Sequence, residues 1–227
     1  MKKILPCLYR SQRDNADRPG SSCNTTAMVM VLEASGHPTI EIVGLPNNKQ
    51  PEDYLTEIGS SQAAYAKMQV LCPWFLGPED RGLPFVLIPP VPPATEPTKL
   101  YAAVRPPEAP TMLDWIVEQA YKKAITRYDG GVTFGVMLDQ IDRGRAVLLH
   151  GAFTPAGHYV ALVGYEAVDD LEGKVGQMTG LICNDPWGRY PDYTDPNGEH
   201  VLIPLNTATA VLKPVGGVIK SGNLVVG

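Results

Sequence analysis

"RAVLLHGAFTPAGHYVALVGYEA", residues 145–167, holds two apolar runs, 145–153 and 158–167, on either side of the turn signal Pro155–Ala156–Gly157. Runs of this kind read as β-strands joined by a turn. Two more follow, GLICND at 180–185 and HVLIPLN at 200–206, with Pro196–Asn197–Gly198 as the turn before the last. Upstream the apolar residues take helical spacing instead. Residues 24–35 repeat Ala27, Met28, Val31, Leu32 and Ala34, and Gly36 with Pro38 supplies a stop. Residues 52–70 read as helical with a break at Gly59. Residues 111–128 open on Thr111 and Asp114, an S/T-x-x-D/E helix start, and a short helix at 133–142 ends at Arg143–Gly144. Helices first and strands after predict an α+β fold, with N-terminal helices packed on an antiparallel sheet.

At 227 residues, 44% hydrophobic and 19% charged, the chain suits one domain with a full core, residues 1–227. Proline recurs from about 73 to 110, which excludes a long helix or a central strand there. Within it, LPFVLIPPV is too apolar for a plain linker. An ordered insertion walling a cleft and a mobile loop are both open readings. The net charge of −5 argues against nucleic acid as a partner. Pro6 and Arg10 interrupt the N-terminal apolar stretch before it reaches the roughly 7–15 residues of a signal peptide. No run approaches the roughly 18 apolar residues of a membrane span, so synthesis in the cytoplasm is expected. Cys7, Cys23, Cys72 and Cys183 form no C-x-x-C pair, so neither zinc nor a disulfide framework is indicated, and no cofactor is expected.

The chemistry starts from Cys23, at the head of the first helix. A helix start offers unpaired N–H groups and the positive end of the macrodipole, which favour a thiolate, although free cysteine is also often plain core packing. A thiol nucleophile needs a base. His37 falls in a turn, His150 ends a strand and His200 begins a late one, whereas His158 opens an apolar strand behind Gly157, a small residue that leaves room for a substrate or partner. Asp185 closes the next strand, where an antiparallel pairing lets it hold the second ring nitrogen. Asn184 faces the opposite way along the strand and is the weaker candidate. Gln12 offers a side-chain amide that, with the Cys23 N–H, can hold an oxyanion.

Each residue also has a plainer role: a strand-edge histidine, an Asp–Pro turn, a surface glutamine. Trp187 reads as a core tryptophan rather than a cover for the His–Asp pair. Residues 192–200, DYTDPNGEH, lack the spacing of a calcium loop and read as a turn. Cys7, Cys72 and Cys183 read as structural.

The order Gln12, Cys23, Gly157–His158, Asn184–Asp185–Pro186–Trp187–Gly188 resembles the C39-like branch of papain-fold cysteine peptidases, in its phage and bacterial forms. The matching stretches are SQRDN (11–15), CNTTAMVMVLEASG (23–36), DQIDRGRAVLLHGAFTPAGHYVALVGYE (139–166) and CNDPWG (183–188), of which the third is the most specific. The 135-residue gap from Cys23 to His158 falls within the roughly 130–150 of papain-like enzymes. Residues 73–110 have no counterpart. Many relatives carry Gly after the cysteine where this chain has Asn24, which agrees with the phage-type subgroup. The resemblance implies a papain-like fold, Cys23 as nucleophile, His158 as general base and then acid, Asp185 as orienter and Gln12 as oxyanion donor. It implies a phage-type lysis enzyme, endolysin or virion-associated, cutting peptidoglycan peptides and released to the cell wall during lysis. A cytoplasmic peptidase acting on a phage or host protein, and a non-catalytic papain-like binding module, are the alternatives. Cleavage of bacteriocin leaders is disfavoured, because no transporter segment is present.

Overall fold

The structure, a computed structural model, describes residues 1–71, 108–155, 157–169, 175–212, 218–219 and 222–226. Cys72 and all but the last three residues of the Pro-rich stretch at 73–110 lie outside the described residues.

The strands are β1 (Lys2–Ile4), β2 (Thr126–Asp129), β3 (Val132–Thr133), β4 (Val147–Gly151), β5 (His158–Asp169), β6 (Val175–Asn184), β7 (Val201–Pro204), β8 (Val218–Ile219) and β9 (Gly222–Val225). Seven form one sheet in the order β2-β9-β4-β5-β6-β7, with β1 also on β5, and β3 pairs with β8. Every pairing is antiparallel. The helices are α1 (Cys23–Ala34), α2 (Pro51–Gly59), α3 (Gln62–Leu71), α4 (Glu108–Tyr121), α5 (Phe134–Asp142) and α6 (Leu205–Leu212). This is the expected α+β arrangement. Among the described residues, no helix is long and apolar enough to cross a membrane.

α1 is apolar on more than one face because it is buried all round: every side chain from Ala27 to Leu32 is sealed from solvent. It packs chiefly on β5, whose inner face is equally apolar. α2 starts with Pro51, whose missing N–H costs nothing in a first turn, and stops at Gly59 as expected. Thr133 caps α5 by accepting the Val136 N–H at 3.2 Å.

The third helix departs from expectation. α4 begins at Glu108, before Thr111, and ends at Tyr121, so residues 126–129 are a strand and not its last turn. Asp114 is no helix start. Its carboxylate accepts the Tyr128 N–H and the Asn223 side-chain amide, tying α4 to β2 and β9. β1, β2, β3, β8 and β9 were not expected from the apolar runs.

Register decides where chemistry can occur. Gly151 pairs with His158 and Ala161 with Asn184, so the start of β5 lies between the ends of β4 and β6 at one edge of the sheet. The packing of α1 on β5 brings its first residue to that edge.

Candidate active site

Cys23 is the first residue of α1 and is half-buried. The loop that delivers it is fastened on several sides. The Asn15 side-chain amide donates to the Ser22 and Thr26 hydroxyls at 2.8 and 2.9 Å. Asp53 of α2 accepts the N–H groups of Ala16 and Asp17 at 3.1 and 3.0 Å. Arg10 forks onto both oxygens of Glu33 and reaches Glu52, joining the chain before the loop to α1 and α2.

His158 is 4% exposed, and its Nε2 lies 2.7 Å from Asp185 Oδ1. The Cys23 sulfur lies close enough to the ring to act on its charge. Burial disfavours the imidazolium, yet the neighbouring charge of Cys23 and then the bond to Asp185 outweigh it and push His158 up to about 10. The structure thus brings together Cys23, His158 and Asp185, which lie far apart in sequence.

Asp185 is wholly buried. Its Oδ1 also accepts the Trp187 N–H at 2.9 Å, and its own N–H donates to the Gly198 carbonyl at 2.8 Å. Glycine is required at 198 because a Cβ there would stand 2.0 Å from the Asp185 carbonyl oxygen. Asn184 faces away, as strand alternation demands, and accepts the His200 N–H at 2.9 Å.

Gln12 is buried at 2% exposure, and its N–H donates to the Pro186 carbonyl at 2.9 Å. Its side-chain nitrogen donates to the Pro19 carbonyl at 2.8 Å, leaving a second amide hydrogen for another acceptor. Gln12 therefore bridges the loop before Cys23 and the segment after Asp185.

Two local expectations need correction. Gly157 has φ of +85°, and a Cβ there would meet His150 Nε2 at 2.9 Å, so the space beside it is taken by His150 rather than left for a substrate. His150 stacks on Tyr159 at 4.5 Å, and burial, then the charge of His158, lowers its pKa. Trp187 is half-buried rather than core, with the Arg13 guanidinium 4.7 Å above its ring. Residues 192–200 form the expected run of turns, in which Asp192, Asp195 and Asn197 each accept an N–H two residues on. Among the described residues no cluster suited to a metal ion occurs.

Sequence reasoning missed Tyr193. Its ring meets His158 edge to face at 6.2 Å and Tyr190 at 6.1 Å, and its hydroxyl donates to the Phe153 carbonyl at 3.2 Å. Burial, then the charge of Asp185, raises its pKa and keeps the phenol protonated. No spacing rule marks a tyrosine inside a turn segment.

The sequence pattern of the Peptidase_C39-like family matches residues 4–200. The chain belongs to this family. Among solved structures, this C39-like family member resembles a Bacillus anthracis protein assigned as a C39-like peptidase. The TM-score is 0.51 at 13% identity, covering 100% of this chain and 98% of that one. At that identity the likeness concerns the fold, which is α+β and papain-like as expected. No curated protein matches the chain in sequence.

Proposed function

We propose that this C39-like family member is a cysteine peptidase that hydrolyses peptide amide bonds through Cys23, His158 and Asp185. The observation that carries the reading is a single buried imidazole 2.7 Å from a carboxylate, with the thiol at the head of α1 near enough to act on its charge. Family membership supports the same reaction class.

The Cys23 thiolate attacks the scissile carbonyl carbon, and its proton rests on His158. The carbonyl oxygen gains negative charge and is held by the Cys23 N–H and the remaining amide hydrogen of Gln12. Collapse of that intermediate breaks the C–N bond while His158 protonates the departing amine, leaving a thioester on Cys23. His158 then takes a proton from water as the water oxygen attacks the thioester carbon, and collapse of the second intermediate breaks the C–S bond, releasing the acid and returning the Cys23 thiolate beside protonated His158. Asp185 keeps the ring in one orientation and offsets its positive charge throughout. Residues 1–227 act as one catalytic domain with the Pro-rich insertion at about 73–110.

The substrate proposed is the peptide moiety of peptidoglycan, in a phage-type lysis enzyme. Support for it is the likeness of the four quoted motifs to phage and bacterial forms. The test is incubation with isolated sacculi, scoring new amino termini against Cys23→Ala. Release by the native chain alone is the expected result. Cleavage of a denatured protein with no release from sacculi would replace the wall with a protein substrate, and activity on neither would sink the peptidase reading.

A further inference from the structure

Arg13 follows the proposed oxyanion donor in sequence, yet the reaction above gives it no task. Its guanidinium is exposed but held: Nε donates to the Trp187 carbonyl at 2.7 Å, Nη2 donates to the Tyr193 carbonyl at 3.1 Å, and the group stacks over the Trp187 ring at 4.7 Å. Among the described residues no carboxylate pairs with it. An arginine has five N–H donors in a planar fork. Two are used, so both on Nη1 and one on Nη2 remain for an incoming acceptor. A preset cation without an acid partner suits a planar two-oxygen anion, because the ordering cost is already met and the bidentate geometry is available.

The position says which part of a substrate that anion belongs to. The Gln12 N–H is bonded to the Pro186 carbonyl, and the Trp187 N–H to Asp185, so Arg13 and Trp187 form the rim between the proposed oxyanion donor and the acid–base pair. Around the tetrahedral carbon, the side bounded by the oxyanion and the departing nitrogen lies opposite the acyl Cα. A group on that rim faces the leaving half of the substrate.

We propose that Arg13, backed by Trp187, binds a carboxylate carried by the leaving peptide. The assignment rests on the peptidase reading for its direction along the substrate, and makes the enzyme selective for substrates whose leaving segment is anionic, by a free C-terminus or an acidic side chain.

The binding test needs no turnover. Acetyl-Ala-Ala, acetyl-Ala-Ala-amide and acetyl-Asp-Ala-amide are titrated into the ¹⁵N-labelled full chain carrying Cys23→Ala, following the Arg13 Nε–H and Trp187 indole N–H resonances. The free-carboxylate peptide is expected to move both signals and the neutral amide neither. A shift with the Asp peptide as well would assign the site to any carboxylate rather than a chain terminus. Equal shifts with charged and neutral peptides, or none, overturn the proposal.

In turnover, matched substrates differing only in a leaving-side carboxylate or carboxamide should differ about tenfold or more in kcat/KM. Arg13→Gln should collapse that ratio toward one, and Arg13→Lys, which keeps the charge but loses the planar fork and its stacking on Trp187, should keep only part of it. A merely structural clasp predicts equal losses on both substrates, which would overturn the assignment. Carboxylate-selective shifts together with a native chain that cleaves nothing would retain the binding site while removing the peptidase reading.

Discussion

His158 Nε2 and Asp185 Oδ1 stand 2.7 Å apart with both residues shut off from water, one at the start of β5 and the other just beyond the end of β6. A buried pair of this kind is costly to break from one side only, since the surviving charge has neither water nor a counter-charge. His158→Ala is therefore expected to destabilise the fold by about 3–5 kcal/mol. The double variant His158→Ala/Asp185→Ala should recover part of that loss. Urea denaturation of the four species of this cycle checks it, and a double variant less stable than His158→Ala would contradict it.

The same pair sets a pH dependence. Because the folded-state pKa of His158 is raised, to about 10, its contribution to stability is complete below the unfolded value of about 6.5 and fades as pH climbs toward 10. Cys23→Ala removes the foremost cause of the rise. Its unfolding midpoint should change less between pH 6.5 and 10 than that of the native chain. In turnover, the alkaline limb of kcat/KM should fall near pH 10 rather than near 7. A limb near 7 would show that the imidazolium is not held as the geometry implies.

Thiol reactivity should single out Cys23 among the described cysteines. Burial pushes Cys7 up to about 12, and Cys183 is buried completely with its pKa raised by that burial. Mass spectrometry after brief iodoacetamide treatment should find Cys23 modified well before Cys7 and Cys183, with the difference lost in denaturant. Uniform labelling of the native chain would argue for the binding-module alternative.

Gly198→Ala tests the support beneath Asp185. The added methyl would lie 2.0 Å from a backbone oxygen, which no rotamer change relieves. A stability loss above about 2 kcal/mol is expected, together with reduced kcat, because the carboxylate is displaced with its carbonyl. A variant with native stability and turnover would mean that the Asp185 loop yields freely.

The sequence carried the site further than it carried the fold around it. Cys23, His158 and Asp185 were legible because each lies at the end of a strongly apolar element, where periodicity gives the address and strand alternation separates Asp185 from Asn184. Gln12 was a candidate through its side-chain amide, and its role as oxyanion donor is what the resemblance implies. What stayed hidden depends on contacts between distant segments. β2 and β9 are four-residue strands whose pairing is stabilised partly through Asp114, and no local pattern announces that. Tyr193 and His150 lie in segments that read as turn and strand end, Arg13 in a segment given no element, and their positions follow from tertiary packing alone. Trp187 misled because residue type suggests core, whereas Arg13 takes one face of the ring.

The position of β9 bears on how the molecule is made. Gly222–Val225 lies between β2 and β4, and among the described residues β2 has no other partner strand. A chain emerging from the ribosome can form the β4–β5 hairpin early, but β2 and the open edge of β4 wait for Gly222–Val225, synthesised well after both. Closure of the sheet therefore waits for β9. Nascent chains stalled short of residue 222 expose two unpaired strand edges, a form suited to capture by chaperones and to degradation.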